Sequence, residues 1–465
     1  MIRYSQFRGL IPATLALVAS AGLAHADGND EPVSNQVIVQ LFPGASVDEF
    51  NSRYGTSTLD LINGRPIYLL QLPQKMTHDE FELLVFGDPD LDKEELNFTA
   101  SDPGGDTRSF YGSRSANDYH QQAAAEGMNV PEAHAITTGA GVTVAVLDTG
   151  LDADHPLLIG RAVSGWNFIT NSADTDDVAQ GVDSSGNGTP DEFVGHGSMI
   201  AGMINLVAPD ANIMPVVVLD SDGESTSWRV AKGIYYAIDQ RVNVINLSLG
   251  TSVDTFVLLD AIDEARDHWI TVVTSAGNFG HNGPEQFPAA MQDNRTIAVA
   301  AADLEYRITE FTNLGNYITV SAPGVQAIGP FVDGGYQIGE GTSFSTAWVS
   351  GAAALIHAVG WDHSTGNVSK VIERSARTYV DLPGRLDDRA GGGVLDVEAA
   401  LIRHLEEPAC PADLNDDDVL TPSDFSAWID AYNKGDYAAD QNRDRQLTPA
   451  DFSAWVRNYN QGCPN

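Results

Sequence analysis

Val142-Thr-Val-Ala-Val-Leu-Asp-Thr-Gly150 decides how the chain is read. Its first six residues are apolar or β-branched with no polar alternation, the pattern of a strand covered on both faces of a sheet. It ends on Asp148, and a carboxylate at the carboxyl end of a buried strand lies where open α/β sheets build their sites. Alone, that aspartate is as well explained as a turn or a helix cap. Similar runs follow at Ile213–Leu219, Val242–Leu247, Ile270–Thr274 and Thr296–Val299, with helical patterns between them. Residues 119–404 are therefore expected to form an α/β domain on a mostly parallel sheet.

Two glycine-framed segments complete a constellation: Gly195-His-Gly-Ser-Met-Ile-Ala-Gly202 and Gly341-Thr-Ser-Phe-Ser-Thr346. Singly, His196 reads as a packing residue and Ser343 as a helix cap. Jointly with Asp148 they supply an orienting carboxylate, a base and a hydroxyl nucleophile in the chain order Asp, His, Ser. A serine hydroxyl is a poor nucleophile until a neighbouring base takes its proton.

With these motifs, residues 119–404 resemble the subtilisin-like serine peptidases. The matching segments are VAVLDTGLDADHP (144–156), GHGSMIAG (195–202), VINLSLG (244–250), SAGN (275–278), SAPG (321–324) and GTSFSTAWVSGAAAL (341–355). The resemblance implies a three-layer α/β fold and a triad of Asp148, His196 and Ser343. It places the Asn278 side-chain amide, with the Ser343 backbone N–H, in the oxyanion hole. It also implies that Ser248-Leu249-Gly250 and Gly223-Glu224-Ser225 flank the substrate backbone, with Phe287 on the far wall of the primary pocket. The chain departs from the family where Ala347 and Trp348 replace a Pro-His pair and Ser198 replaces a threonine. Met203–Ala208 also runs on without the calcium-binding interruption seen in many subtilisins.

Residues 1–26 carry Arg3 and Arg8, a short apolar stretch and Ala24-His-Ala26, the composition of an export signal. Residues 27–100 are expected to form a βαββαβ, ferredoxin-like unit, and the segment from 36 to 100 resembles the family's propeptide, a folding assistant and inhibitor. Residues 101–118 read as a linker and processing region, rich in Gly, Ser and Asp.

The last part, 408–465, contains a repeat: Ala412–Gly435 and Ala439–Gly462 share Leu-Thr-Pro, Asp-Phe-Ser-Ala-Trp and Tyr-Asn at matching places. Asp413, Asn415, Asp417 and Asp424 in one copy, and Asp440, Asn442, Asp444 and Asp451 in the other, follow the spacing of a calcium loop closed by a helix carboxylate. Asp418 and Arg445 stand where such loops prefer glycine. The module resembles a dockerin, which implies structural Ca2+ and a cohesin-like or cell-surface partner. Cys410 and Cys463 bracket the repeats and are expected to pair as a disulfide. The loop Asp183–Asp191 is a further calcium candidate.

The 64 acidic side chains face only 25 basic ones, a net charge of -39, which opposes nucleic acid and anionic membranes as partners. A 43% hydrophobic content excludes wholesale disorder. The reading is a secreted or cell-surface serine endopeptidase, made as a zymogen, monomeric, acting on protein or peptide substrates, with no membrane span once the signal is removed. Two other roles fit parts of the chain: a non-catalytic adhesion protein on a peptidase scaffold, and an assembly component docked through its C-terminal module.

Overall fold

The computed structural model describes residues 30–102, 110–291, 295–359, 365–380, 389–406, 412–414, 419–434, 439–442 and 447–462. The export segment, Cys410, Cys463, Asn415, Asp417 and Asp444 lie outside the described residues. At the N-terminal side, β1 (Pro32–Leu41), α1 (Val47–Tyr54), β2 (Ser57–Leu61), β3 (Ile67–Gln71), α2 (His78–Val85) and β4 (Leu91–Ser101) follow one another. The helices start at caps, since the Ser46 and Thr77 side chains accept the Glu49 and Glu80 N–H groups. Val37, Val39 and Leu70 close over Phe50 and Phe81 to give this unit its own core.

Three short helices, α3 (Ala116–His120), α4 (Ala123–Gly127) and α5 (Val130–Ala133), lead into β5 (Thr143–Asp148). Next come β6 (Trp166–Asn167), α6 (His196–Val207), β7 (Asn212–Val217), β8 (Glu224–Thr226), α7 (Ser227–Asp239), β9 (Val244–Leu247), α8 (Phe256–Asp267), β10 (Thr271–Ser275) and β11 (Ile297–Ala302). The domain continues through β12 (Val320–Pro323), the hairpin β13 (Ala327–Phe331) and β14 (Gly335–Gly339), α9 (Thr342–Ala358), α10 (Thr365–Ser375) and α11 (Val397–Glu406).

Seven strands form one parallel sheet in the order β12-β11-β10-β9-β5-β7-β6. Val144 and Val146 of β5 pack with Met199, Ile200 and Trp348 from α6 and α9, while Ala145 and Leu147 pack with Ile234 and Leu258 from α7 and α8. Alternate side chains of one strand thus anchor a helical layer on each face. Every residue of α9 from Thr342 to His357 is buried, as suits a helix that is apolar or small all round. The chain leaves β5 towards β7 and β6 on one side and β9 to β12 on the other, so a crevice opens at the strand ends.

β4 does not stop at its own unit. Thr99, Ala100 and Ser101 pair antiparallel with Thr226, Ser225 and Glu224, giving a second sheet ordered β2-β3-β1-β4-β8 that spans both parts of the chain. Near the C-terminus, α12 (Pro422–Lys434) and α13 (Pro449–Gln461) stack Phe425 on Trp455 with ring centroids 5.0 Å apart, and Trp428 on Phe452 at 5.6 Å. Trp428 and Trp455 therefore form that module's core with Phe425 packed against it, while Phe452 stays exposed at its edge.

Candidate active site

Asp148 is the last residue of β5 and His196 the first of α6. The helix can begin against the strand-end turn only because Gly195 and Gly197 lack side chains. A Cβ on Gly195, which sits at φ +91°, would lie 2.3 Å from the Phe331 ring, and one on Gly197 would lie 2.3 Å from the Gly150 carbonyl oxygen. Asp148 Oδ1 accepts the Thr149 N–H at 2.8 Å and lies 2.8 Å from His196 Nδ1. Both side chains are buried. Burial alone would lower the imidazole pKa, but the Asp148 charge and hydrogen bond outweigh it. With help from the Asp102 and Asp177 charges, they raise His196 to about 9. Phe110, Phe193 and Phe344 approach the ring edge-on and complete an apolar wall.

Ser343 is the second residue of α9. Its Oγ lies 3.5 Å from the Ser248 carbonyl oxygen, and the Ser248 hydroxyl donates to the Ser343 carbonyl at 3.1 Å. The hydroxyl therefore faces the cleft strand rather than His196 here, and contacts of this kind commonly tighten only around a substrate. Behind it, Ser350 Oγ donates to Asn246 Oδ1 at 2.8 Å and Asn246 Nδ2 donates to Ser248 Oγ at 3.0 Å, fixing α9 to β9. Asn278 Oδ1 accepts both the N–H and the hydroxyl of Thr342, at 2.9 and 3.0 Å. With the oxygen so engaged, the Asn278 NH2 group is the end left to donate into the site, as an oxyanion hole requires. Thr342 was not anticipated from the sequence.

The two cleft segments hold a strand already. Ser101 and Gly250 exchange both backbone hydrogen bonds, at 3.0 and 2.9 Å, and the Asp102 N–H donates to the Gly223 carbonyl at 3.0 Å. The N-terminal chain thus runs antiparallel between the predicted substrate-flanking segments and brings Asp102, buried, next to His196. Burial raises Asp102 to about 7, with His196 opposing and Asp148 reinforcing the shift. Burial and then the charges of Asp220, Asp30, Asp222 and Asp102 raise Glu224 to about 8. Beyond the crossing, Phe110 packs on Phe331 at 5.1 Å, and Tyr111 exchanges backbone bonds with Ile338 of β14. Phe287 exchanges backbone bonds with Thr251, just past Gly250. The Leu249 side chain turns into the core, so only its backbone fronts the cleft.

A sequence model of the subtilase family matches residues 139–396, more than half of the chain. The chain belongs to the subtilase family. It is similar to thermitase of Thermoactinomyces vulgaris, 34% identical over 259 residues, which cover 54% of this chain and 86% of thermitase. It is also similar to subtilisin DY of Bacillus licheniformis, 32% identical over 274 residues, or 56% of this chain and 91% of the relative. Among solved structures, fervidolysin from Fervidobacterium pennivorans, a keratinolytic enzyme related to subtilisin, matches with a TM-score of 0.66 at 22% identity. That match covers 82% of this chain and 62% of fervidolysin, and it bears on the fold alone. The subtilase is a serine protease of the subtilisin type.

Among the described residues of this subtilase, no group of three or more acidic, His or Cys side chains is placed to hold a metal, and no helix is long and apolar enough to cross a membrane. The Asp183–Asp191 candidate is answered by its own backbone. Asp191 accepts the Gln180, Gly181 and Val182 N–H groups and the Ser221 hydroxyl, and Asp183 accepts the Gly188 N–H. Those carboxylates serve to fold the loop. In the repeats, Asp424 and Asp451 are fully buried and accept the Thr421 and Thr448 N–H groups at 2.7 Å. Asp424 Oδ1 is buried and has no hydrogen-bond partner among the described residues. Asp440 is also buried, while Asp413 and Asn442 lie in the described loop fragments.

Proposed function

We propose that this subtilase is a secreted endopeptidase made as a zymogen, cutting through an acyl-enzyme with Asp148, His196 and Ser343. The observation that carries the reading is the strand ending at Asp102, which lies between Gly223 and Gly250 as a substrate backbone would, beside the buried Asp148–His196 pair. In the reaction, Ser343 Oγ bonds to the scissile carbonyl carbon as His196 takes the hydroxyl proton. The carbonyl becomes an oxyanion between the Asn278 amide and the Ser343 N–H, and Asp148 holds the imidazolium. Collapse breaks the C–N bond, and the proton on His196 passes to the leaving amine. Water then attacks the ester by the same route and restores Ser343.

Residues 30–102 act in this reading as the propeptide. Besides the strand, Glu95 accepts the Phe256 and Val257 N–H groups at the start of α8, and Asn97 accepts the Trp228 N–H in α7. Arg65 pairs with Asp239 and Glu264, and Lys93 with Asp260. Processing falls between Asp102 and Phe110, both of which lie near His196. The test is expression of wild type beside Ser343→Ala. Wild type should shorten to a form starting within residues 103–110 and should hydrolyse casein, whereas the variant should stay full length and inert. Casein hydrolysis by Ser343→Ala sinks the assignment.

The C-terminal repeats are proposed as a dockerin-like calcium module that docks the enzyme to a cohesin-like or cell-surface partner. The unpartnered, buried Asp424 Oδ1 supports a cation there, since such an oxygen is costly unless something satisfies it. Asp413, Asp424, Asp440, Asn442 and Asp451 would hold Ca2+ with the loop residues between them, and the ion would supply structural cross-linking of loop to helix. A chelator should lower the melting temperature of the module and abolish capture of any partner.

A further inference from the structure

Asp177 belongs to none of the sequence motifs, yet it is buried beside the catalytic helix. Its Oδ1 accepts the Gly195 N–H at 2.9 Å, and its Oδ2 accepts the N–H and the hydroxyl of Ser198 at 3.1 and 2.9 Å. These donors bracket His196 on both sides. Two of the three are backbone N–H groups, which can only donate; with the Ser198 hydroxyl they favour the carboxylate form against burial, which pushes the Asp177 carboxyl above its ordinary value. Ser198 Oγ in turn accepts the Asp152 N–H at 2.8 Å, and the Gly197 N–H donates to Thr149 Oγ1 at 3.0 Å. The first turn of α6 is thereby tied, through one buried anion and two hydroxyls, to the strand-end turn that carries Asp148.

We propose that Asp177 is a positioning residue for peptide hydrolysis: it pins the N-terminus of α6 so that the His196 imidazole stays on Asp148, and its charge favours the imidazolium formed as Ser343 loses its proton. The proposal rests on the reading of His196 as general base. Three acidic groups act on His196: Asp148 from the end of β5, Asp102 from the end of β4, and Asp177 from the loop ahead of α6. Asp177 in turn faces Asp148. Loss of the N-terminal unit removes Asp102 from this set, leaving Asp148 and Asp177 to hold the imidazolium in the processed enzyme. The geometry also explains why serine serves at position 198 in place of the family's threonine, because only the hydroxyl bridging Asp177 and Asp152 is used.

The test compares processed wild type, Asp177→Asn and Ser198→Ala on a chromogenic peptide across pH, with rates normalised to sites labelled by a fluorophosphonate. Asp177→Asn keeps the shape and removes the charge. Its kcat should fall about ten-fold or more with KM nearly unchanged. The acid limb of kcat/KM should also move to lower pH by roughly half a unit, since a histidine without that anion protonates less readily. Ser198→Ala keeps the charge and removes the bridge, so kcat should fall while the limb stays in place. An unmoved acid limb in Asp177→Asn, or an unchanged kcat, overturns the proposal. If Asp177→Asn yields no labelled sites, an undiminished kcat in Ser198→Ala overturns it instead. Absence of turnover in wild type would refute the peptidase reading itself, and so is distinguishable.

Discussion

Besides Asp148, two carboxylates act on His196 through their charge, and they are buried in different company. Asp177 meets three hydrogen-bond donors and belongs to the peptidase domain. Asp102 arrives on the end of β4 and, apart from His196, faces other acids: Asp148 across the site and Glu224 on the neighbouring strand. Burial is costly for both, but three hydrogen-bond donors offset that cost at Asp177, whereas at Asp102 only the His196 charge opposes it and Asp148 adds to it. The first arrangement suits a permanent part of the site. The second suits a segment that has to leave.

The sharpest break in that contrast comes from the permanent side. Asp148→Asn should lower kcat about 10⁴-fold by leaving the imidazole in the wrong tautomer, measured by peptide hydrolysis in the processed enzyme. A loss below ten-fold would mean that Asp148 does not orient His196. Asn278→Ala should cost about 10²- to 10³-fold in kcat with little change in KM, because its donor meets charge only in the transition state. A change confined to KM would place the amide on ground-state substrate instead.

The departing side is tested by pH. Asp102 and Glu95 are raised to about 7 and Glu224 to about 8, in each case chiefly by burial. A carboxyl raised in the docked state contributes fully below its ordinary value near 4, and that contribution is lost as pH climbs through about 7 to 8. The melting temperature of full-length Ser343→Ala should therefore fall between about pH 5 and about pH 8, and Asp102→Asn should flatten the fall. A flat profile in the parent would show that these acids stay protonated or find partners.

The smallest effect concerns a buried donor with no hydrogen-bond acceptor among the described residues. Trp348 Nε1 is fully buried with no hydrogen-bond partner. Trp348→Phe should lower the unfolding free energy obtained from urea titration by no more than about 1 kcal/mol, because the indole N–H already carries its desolvation cost. A loss above about 3 kcal/mol would mean that the ring is held by a bond or packing that Phe cannot replace.

The sequence carried the chemistry better than its support. Asp148, His196 and Ser343 stood out as candidates because each lies at or next to the end of an element and close to a glycine, where close backbone approach leaves a compositional mark. Asn278 was legible only by resemblance, and its orientation became clear once Thr342 was seen to occupy its oxygen. Asp177 had no local signal, since an acid in an acid-rich loop looks solvated until the fold lays it under α6. A hydroxyl retained at Ser198 was the one available hint. The start of β4, Leu91-Asp-Lys-Glu-Glu95, has no apolar alternation to mark it as strand and is held by pairing with β1 and by charges such as Lys93 with Asp260.

The sheet shared between β4 and β8 has a kinetic consequence. In the proposed zymogen the continuous chain presents the end of β4 at the millimolar effective concentration typical of a short tether, so even a weak pairing would keep the cleft full. Once the chain is cut between Asp102 and Phe110, the same pairing becomes bimolecular and obeys mass action. Activation of the proposed zymogen would then be a matter of dilution: the same cut molecule would stay silent in a crowded compartment and open in a large volume.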